Sequence, residues 1–463
     1  MASKNRDIKR SALGRSLAVS LAGLRAGGAF ALDGAVQRLR GEDQAGLDSP
    51  FARREARRFV AELGRLKGTY VKIGQMLALL GEHFLPPVLT EALHELESQT
   101  QPVPFDTLEP QLRAALGSKL DELDIEHEAI AAASLAQVHR ATIKATGEQI
   151  CLKIQYPGLA AVIDADFDAV VRMLLLARWI KAGRDLDDWL GSMREQLHNE
   201  IDYIREADMG DRVTQLLHDY SDEFASGGVR YHVPLRYPRY CAETVLAMEF
   251  IDGHLVTHAE VAALPQPRRD ALGRAMLELF FYELYHWGLL QTDPNFGNYL
   301  IRHRDGQDEL VLLDFGSTMS FGPDFLIHLG NAIAAGQAED RKLLTESLLG
   351  LGCLRDDSSE FARKTFADFC LQLLEPLRPQ DRLPEEYLNK KGEYQWARSR
   401  LIRRVGRQAA DSAASLDFSP PSREFAMIAR KLTGVFTFIA VLSAEFNAHD
   451  RVSWHIDGWQ EAE

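Results

Sequence analysis

Two short segments restrict the fold of this chain more than any other feature. The first, QTDPNFGN at residues 291–298, places Asp293 and Asn298 five positions apart in a turn-forming stretch. The second, VLLDFG at 311–316, ends an apolar, strand-like run on Asp314. Asp and Asn side chains supply the hard oxygen ligands that Mg²⁺ prefers. We therefore expect Asn298 and Asp314 to hold a magnesium ion, and Asp293 to orient an attacking oxygen and accept its proton.

Protein kinases use these residue types in this order for phosphoryl transfer, and they add a strand lysine that pairs with a helix glutamate. The apolar segment ICLKIQ (150–155) carries the single Lys153. A buried lysine needs a carboxylate partner. The helical segment 198–212 offers Glu200, Asp202 and Glu206, and we expect Glu206 to be that partner. The alternative is an edge-strand lysine that faces water.

The glycine-rich loop of protein kinases is missing from its expected place. AAASLAQVH (131–139) stands there instead. Alanine lacks the easy access to positive φ that lets a glycine loop approach phosphates closely. We therefore expect a nucleotide-contacting loop of different geometry, built from Ala131, Ala132, Ala133 and Ser134.

A strand-like run ends in AMEFIDG (247–253) and would form the adenine-binding hinge. Backbone groups of Glu249 and Ile251 are the expected adenine contacts. An ordinary strand that ends in a turn would have the same sequence, so this alternative stays open.

The order of the segments predicts the architecture. A chain of 463 residues is too long for one small core. Strand-like segments come first and helical segments dominate from residue 266, which predicts an α+β fold. We expect a two-lobed, kinase-like plan with a small antiparallel sheet in the N-lobe, a helical C-lobe and an added N-terminal helical extension. The expected parts are a basic amphipathic arm (1–50), a helical extension (51–125), an N-lobe with a helical insertion (126–253) and a C-lobe (254–463).

Charge is unevenly distributed along the chain. The net charge of −14 argues against general nucleic-acid binding. Residues 1–67 carry 14 Lys and Arg against 7 Asp and Glu, a net +7 that leaves −21 for the rest. Leucines 13, 17, 21 and 24 form one helical face, so the arm is expected to meet an anionic membrane surface. A solvated helix face is the alternative.

No segment predicts a membrane span, because the longest apolar run, Leu432–Ala444, is well short of the ~20 residues required. It predicts a buried helix. The four cysteines form no C-x-x-C pair, which favours reduced thiols in the cytoplasm. With the basic arm, this predicts a cytoplasmic protein peripheral to the inner membrane.

With these motifs, the chain resembles the UbiB/AarF-type atypical kinase-like family, whose members are tied to ubiquinone (coenzyme Q) biosynthesis. The matching segments occur in family order: VKIGQ (71–75), AAASLAQVHRA (131–141), LKI (152–154), EIDYIREA (200–207), TDPNFGN (292–298) and DFG (314–316). QTDPN resembles the branch that contains the eukaryotic coenzyme Q kinase-like proteins. Ala136 departs from the glycine common in the loop.

The resemblance implies a lid over the active site. Lys72, Gly74 and Gln75 would form it, and Lys72 would pair with Glu200 of the E-x-D motif that Asp202 completes. The sequence itself supports such occlusion. The segment after DFG is short, no A-P-E follows, and Thr292 replaces the arginine of H-R-D.

The resemblance also implies an activity. The chain would bind ATP or ADP with Mg²⁺ and act as an ATPase, not as a protein kinase in trans. Its implied partners are quinone-precursor lipids and quinone-biosynthesis enzymes. A nucleotide-gated regulatory pseudokinase, in which hydrolysis is incidental, is the alternative.

Overall fold

The computed structural model describes residues 50–66, 68–80, 85, 87–94, 102–176, 186–224, 227–413 and 422–462. The predicted arm therefore lies outside the described residues except for Pro50. Within the described part, no helix is both long and apolar enough to cross a membrane. The chain divides into two compact units. The first unit comprises the residues up to Ala207 with Leu235–Phe250, and the second comprises Asp208–Pro234 with Ile251–Glu463.

The first unit contains several helices and a four-stranded sheet. The helices are α1 (Pro50–Leu66), α2 (Thr69–Leu80), α3 (Pro87–His94), α4 (Phe105–Leu116), α5 (Leu159–Leu176), α6 (Leu186–Ile201) and the start of α7 (Tyr203–Asp219). The strands are β1 (Leu123–Ala132), β2 (Ala136–Ile143), β3 (Gln149–Gln155) and β5 (Val245–Glu249). They pair antiparallel in the order β1-β2-β3-β5.

Strand β3 alternates between two environments because successive side chains of a strand point to opposite faces. Ile150, Leu152 and Ile154 are fully buried and join the hydrophobic cluster that contains helix α4. Cys151 and Lys153 point the other way. The apolar face thus anchors the strand, and Lys153 is directed away from that core.

The second unit is mostly helical. After α7 come α8 (Ser221–Phe224), α9 (Ala259–Ala262), α10 (Gln266–Phe281), α11 (Pro323–Ala338), α12 (Arg341–Gly350), α13 (Glu360–Leu373), α14 (Trp396–Ser399), α15 (Leu401–Ala413), α16 (Arg423–Val441) and α17 (His449–Ala462). Its strands are β4 (Val229–His232), β6 (Leu290–Gln291), β7 (Tyr299–Arg304), β8 (Gln307–Leu312) and β9 (Thr318–Met319). These helices and the small antiparallel sheet of the first unit confirm the predicted α+β class.

The sequence predicted a single strand before DFG, and the strands β6, β7 and β9 were missed. β7 and β8 form an antiparallel hairpin, and β4 pairs parallel with β8. The hairpin turns at Asp305 and Gly306, both with positive φ. The hairpin connects the segment 291–298 directly to the strand that precedes Asp314. The apolar run from Leu432 lies largely in helix α16, whose inner face is buried as predicted.

The core of the second unit contains a buried carboxyl group. Glu283 lies in the π-helical turn Tyr282–His286 and is 4% exposed. Burial raises its pKa from 4.5 to about 7, although the nearby Lys431 opposes this shift. The folded state therefore binds the proton of Glu283 more tightly than the unfolded chain does.

The first prediction concerns pH and stability. The contribution of Glu283 to the free energy of unfolding is fully present below pH 4.5 and is lost as pH rises through about 7. Glutamine does not titrate, so between pH 5 and pH 8 the wild type loses this stability and the Glu283→Gln variant does not. The free energy of unfolding of the variant, relative to that of the wild type, should therefore rise by up to about 3 kcal/mol over this interval. Urea unfolding of both proteins at the two pH values measures the gain. The same wild-type-to-variant difference at both pH values would contradict it.

Candidate active site

Lys153 and Glu206 form an ion pair in the first unit. The Nζ of Lys153 lies 2.6 Å from Oε1 of Glu206 and 2.9 Å from Oε2. Lys153 is 18% exposed and Glu206 only 3%. The ring of Tyr203 lies one turn before Glu206 on α7, with its centroid 5.2 Å from the amine. The structure therefore brings together the lysine and the carboxylate that the sequence proposed as partners, in a largely desolvated setting.

A second ion pair joins helices α2 and α6. Lys72 donates to Glu200, and both side chains are mostly buried. Asp202 does not join this pair. It precedes α7, and its Oδ1 accepts the backbone N–H of Arg205 at 2.9 Å, which is how an N-cap residue supports a helix start. Of the other residues predicted for the lid, Gly74 is buried and Gln75 is half-buried on α2.

The alanine loop turns without any residue of positive φ. None of Ala131–Ser134 is among the described residues with φ above zero. Strand β1 ends at Ala132, and the N–H of Ala133 donates to the carbonyl of Ala136 at 2.8 Å. Ala136 itself is buried against Tyr203 and Ala207 of α7. The loop therefore closes with a geometry that alanine adopts without strain.

The two proposed hinge residues differ in their surroundings. In the first unit, Glu249 ends β5, and its N–H donates to the carbonyl of Leu235 at 2.8 Å. This N–H is thus already hydrogen-bonded to another backbone carbonyl. In the second unit, Ile251 is buried. Adenine binding by their backbone groups stays a prediction.

Asp293 lies in the second unit with both carboxylate oxygens engaged. Oδ2 accepts the side-chain N–H of Asn298 at 3.0 Å, and Oδ1 lies 3.2 Å from the guanidinium of Arg430. The 3₁₀ turn Phe296–Asn298 brings Asn298 back to Asp293, and Asn295 caps that turn through the N–H of Gly297 at 2.9 Å. The spacing of five thus places the two side chains in direct contact.

The DFG segment is joined to this loop by backbone hydrogen bonds. The N–H of Leu313 donates to the carbonyl of Asn298 at 3.0 Å, which brings Asn298 next to the residue before Asp314. Thr292 donates to the carbonyl of Ser317 through both its N–H, at 2.8 Å, and its hydroxyl, at 3.0 Å. Asp314 accepts the N–H of Gly316 at 2.9 Å. The segments that carry Asp293, Asn298 and Asp314 therefore hold one another in place.

Helix α16 places two residues at this loop that were not predicted from the sequence. Arg430 contacts Asp293, and the amine of the adjacent Lys431 lies 2.5 Å from Oε1 of Gln291. Lys431 is 2% exposed, and burial lowers its pKa. A signal was present, because Lys431 is a lone lysine in the apolar helical segment that continues to Val441. A buried lysine there needs hydrogen-bond acceptors, as Lys153 does, although those of Lys431 are the neutral groups of Gln291 and Tyr299.

The fold and these motifs define the chain as kinase-like, and comparison with known proteins agrees. The model of the ABC1 atypical kinase-like domain matches residues 95–348, more than half of the chain. The chain belongs to this family, which confirms the UbiB/AarF resemblance. A solved structure titled as the complex of Rv3197 with erythromycin from Mycobacterium tuberculosis has the same fold. Its TM-score is 0.58 at 24% identity, over 87% of this chain and 95% of that one.

Curated relatives extend the similarity over most of the chain. The mitochondrial atypical kinase coq-8 of Caenorhabditis elegans is 29% identical over 402 residues, which cover 86% of this chain and 50% of the relative. The mitochondrial atypical kinase COQ8 of Saccharomyces cerevisiae is 28% identical over 399 residues, or 84% of this chain and 73% of the relative. The chain thus spans about half the length of the nematode relative and about three quarters of the yeast one.

The second prediction tests the Lys153–Glu206 pair without reference to function. Glu206→Gln removes the carboxylate charge that faces a largely buried ammonium and should lower the free energy of unfolding by ~3 kcal/mol. The double variant Lys153→Met/Glu206→Leu removes both charges and should recover most of this loss. Urea unfolding measures both. An unchanged free energy of unfolding in Glu206→Gln would show that the pair is solvated.

Proposed function

We propose that this chain is an atypical kinase-like, Mg²⁺-dependent ATPase that supports ubiquinone (coenzyme Q) biosynthesis at a membrane surface and does not phosphorylate proteins in trans. The observation that carries the proposal is the buried Lys153–Glu206 pair. A desolvated ammonium held by a carboxylate is the group with which kinases bind the α- and β-phosphates of ATP. The family assignment and the ordered Asp293, Asn298 and Asp314 support it.

The residues of the second unit suit a magnesium ion. Asn298 directs its amide N–H groups to Asp293, so its amide oxygen is the atom that would meet a hard cation. Asp314 adds a carboxylate. Magnesium would neutralise charge on the phosphates of bound ATP or ADP. Asp293 would orient the attacking oxygen and accept its proton.

Other predicted site residues have supporting roles in this proposal. The loop of Ala131, Ala132, Ala133 and Ser134 would contact the nucleotide, and backbone groups of Glu249 and Ile251 would contact adenine. Lys72, Gly74 and Gln75 on α2 would form the lid, held through the contact of Lys72 with Glu200. Asp202, which was predicted with the lid, would instead support the start of the helix that carries Glu206. The predicted parts 51–125, 126–253 and 254–463 would correspond to the extension, the N-lobe and the C-lobe.

A membrane position is part of the same proposal. Arg53, Arg54, Arg57 and Arg58 are exposed on α1 and line one hollow. Such a cluster next to the basic segment 1–49 suits an anionic lipid surface. At that membrane surface the protein would contact quinone-precursor lipids and enzymes of quinone biosynthesis.

One observation favours the second candidate function, a nucleotide-gated binding protein. Asp293, the proposed proton acceptor, already has hydrogen-bonding contacts at both oxygens. These contacts orient the carboxylate but also occupy two of its lone-pair sites, and binding would matter more than hydrolysis if the remaining sites are not offered to the attacking oxygen when nucleotide is bound. Measuring turnover with and without phenolic quinone precursors separates the two, because only the enzyme should accelerate.

The third prediction tests the metal site. Asp314→Asn replaces a charged magnesium ligand by a neutral one of the same shape, so the fold should persist while most metal-dependent nucleotide affinity is lost. Thermal shifts with MgADP, compared with ADP and EDTA, measure this affinity. Asp324→Asn, an exposed aspartate in the first turn of α11, is the matched control. A thermal shift with MgADP in Asp314→Asn that equals the wild-type shift would refute the metal assignment.

The fourth prediction separates lid from phosphate ligand. Lys72→Ala removes a contact to Glu200 and should keep or strengthen nucleotide binding, and it should release phosphorylation of the protein itself. Lys153→Ala should abolish nucleotide-dependent activity. Nucleotide affinity and radiolabel incorporation are measured for both variants in one assay. If Lys72→Ala loses binding as completely as Lys153→Ala, then Lys72 is itself a phosphate contact.

A further inference from the structure

The loop that carries Asp293 has no basic residue of its own. Its sequence, TDPNFGN (292–298), contains neither Lys, Arg nor His. The positive charge at Asp293 comes instead from helix α16, where Arg430 places a guanidinium nitrogen 3.2 Å from Oδ1. Arg430 and Asp293 are both mostly buried, at 19% and 26% side-chain exposure. An ion pair shielded to this degree is stronger than one at the open surface.

The neighbouring Lys431 fixes the same helix to the start of the loop. Its buried amine donates to Oε1 of Gln291 and to the hydroxyl of Tyr299, both at 2.5 Å. Gln291 lies two residues before Asp293, and Tyr299 directly follows Asn298. A buried amine is costly to leave without acceptors. Helix α16 is therefore held at both ends of the catalytic loop.

Gly434 allows this close approach. A Cβ atom built at this position would lie 2.1 Å from Cβ of Pro294, the residue after Asp293. A side chain there would push the helix and the loop apart. Arg430, Lys431 and Gly434 thus lie within about one turn of α16 and contact one short loop.

We infer that Arg430 is a positioning residue for Asp293. Arg430 at Oδ1 and Asn298 at Oδ2 hold the carboxylate from two sides, and the N–H of Asn295 adds a longer contact of 3.4 Å to Oδ1. The inference rests on the proposed ATPase, in which Asp293 orients the attacking oxygen. Helix α16 lies beyond residues 95–348, so the inference extends the active site past the segment that the family model matches.

This role predicts a specific kinetic defect. Without Arg430 the carboxylate rotates away from its productive orientation, and misplacement of a reacting group by ~1 Å costs roughly a hundredfold in rate. Nucleotide affinity should hardly change, because Lys153, Asn298 and Asp314 remain. Arg430→Met should therefore lower kcat for ATP hydrolysis about tenfold to a hundredfold, with KM and MgADP affinity within about threefold of the wild type.

The experiment uses the full chain and a set of variants. Arg430→Lys keeps the charge and should restore part of kcat. In an Asp293→Asn background, Arg430→Met should cause little further loss, because it acts through the residue already altered. Arg451→Met is the matched control. It breaks the 2.8 Å ion pair between Arg451 of α17 and Glu278 of α10 and should leave kcat unchanged.

Several outcomes would overturn the inference. These are a wild-type kcat in Arg430→Met, a full additional loss in the Asp293→Asn background, and equal losses of kcat and MgADP affinity that Arg430→Lys does not relieve. If the wild-type protein hydrolyses no ATP, the proposed function fails, and amide hydrogen exchange of residues 291–298 decides the inference. Exchange should rise in Arg430→Met and not in Arg451→Met, and equal exchange in both would refute it.

Discussion

The first unit depends on the requirement that the ammonium of Lys153 meets a carboxylate. The apolar face of β3 is anchored in the core, so Lys153 can point in one direction only. Glu206 meets it from α7, and a shift of α7 by one residue would rotate that carboxylate by about 100°. The same register packs Tyr203 and Ala207 against Ala136, where the alanine loop rejoins the sheet. One electrostatic constraint thus fixes the register of the helix against the strand and the packing at the end of the loop.

The sequence predicted the parts of the site in which a strong physical rule acts locally. A charged residue in an apolar strand needs a partner, and this rule led from Lys153 to Glu206. The spacing of Asp293 and Asn298 in a turn-forming stretch singled out both residues, and a single 3₁₀ turn brings them together. The apolar run before Asp314 indicated a strand. Contacts between distant segments, such as Arg430 with Asp293, have no such local signature, because nothing in the sequence tells which helix packs on the loop.

Two features were missed although the sequence carried a signal. The strands β7 and β8 meet at Asp305–Gly306, and this dipeptide is a strong hairpin signal because both central residues of a type I′ turn need positive φ. Their φ values are 52° and 78°. Tyr299 and Ile301 alternate with more exposed residues along β7, as a half-buried strand requires. Lys431 was missed because its helix was interpreted only as an apolar run.

Two lysines illustrate how different partners give one residue type different roles. Lys153 faces a carboxylate and remains partly exposed, so it can present a positive charge to an anion. Lys431 is fully enclosed, and its direct acceptors are the neutral groups of Gln291 and Tyr299. Burial lowers its pKa, while Glu283 and Asp293 oppose this effect from farther away. An amine in that setting has no route to a ligand. Under the proposed function, its effect on catalysis would pass through the loop that it holds, so we regard Lys431 as part of the scaffold on which Arg430 and Asp293 meet.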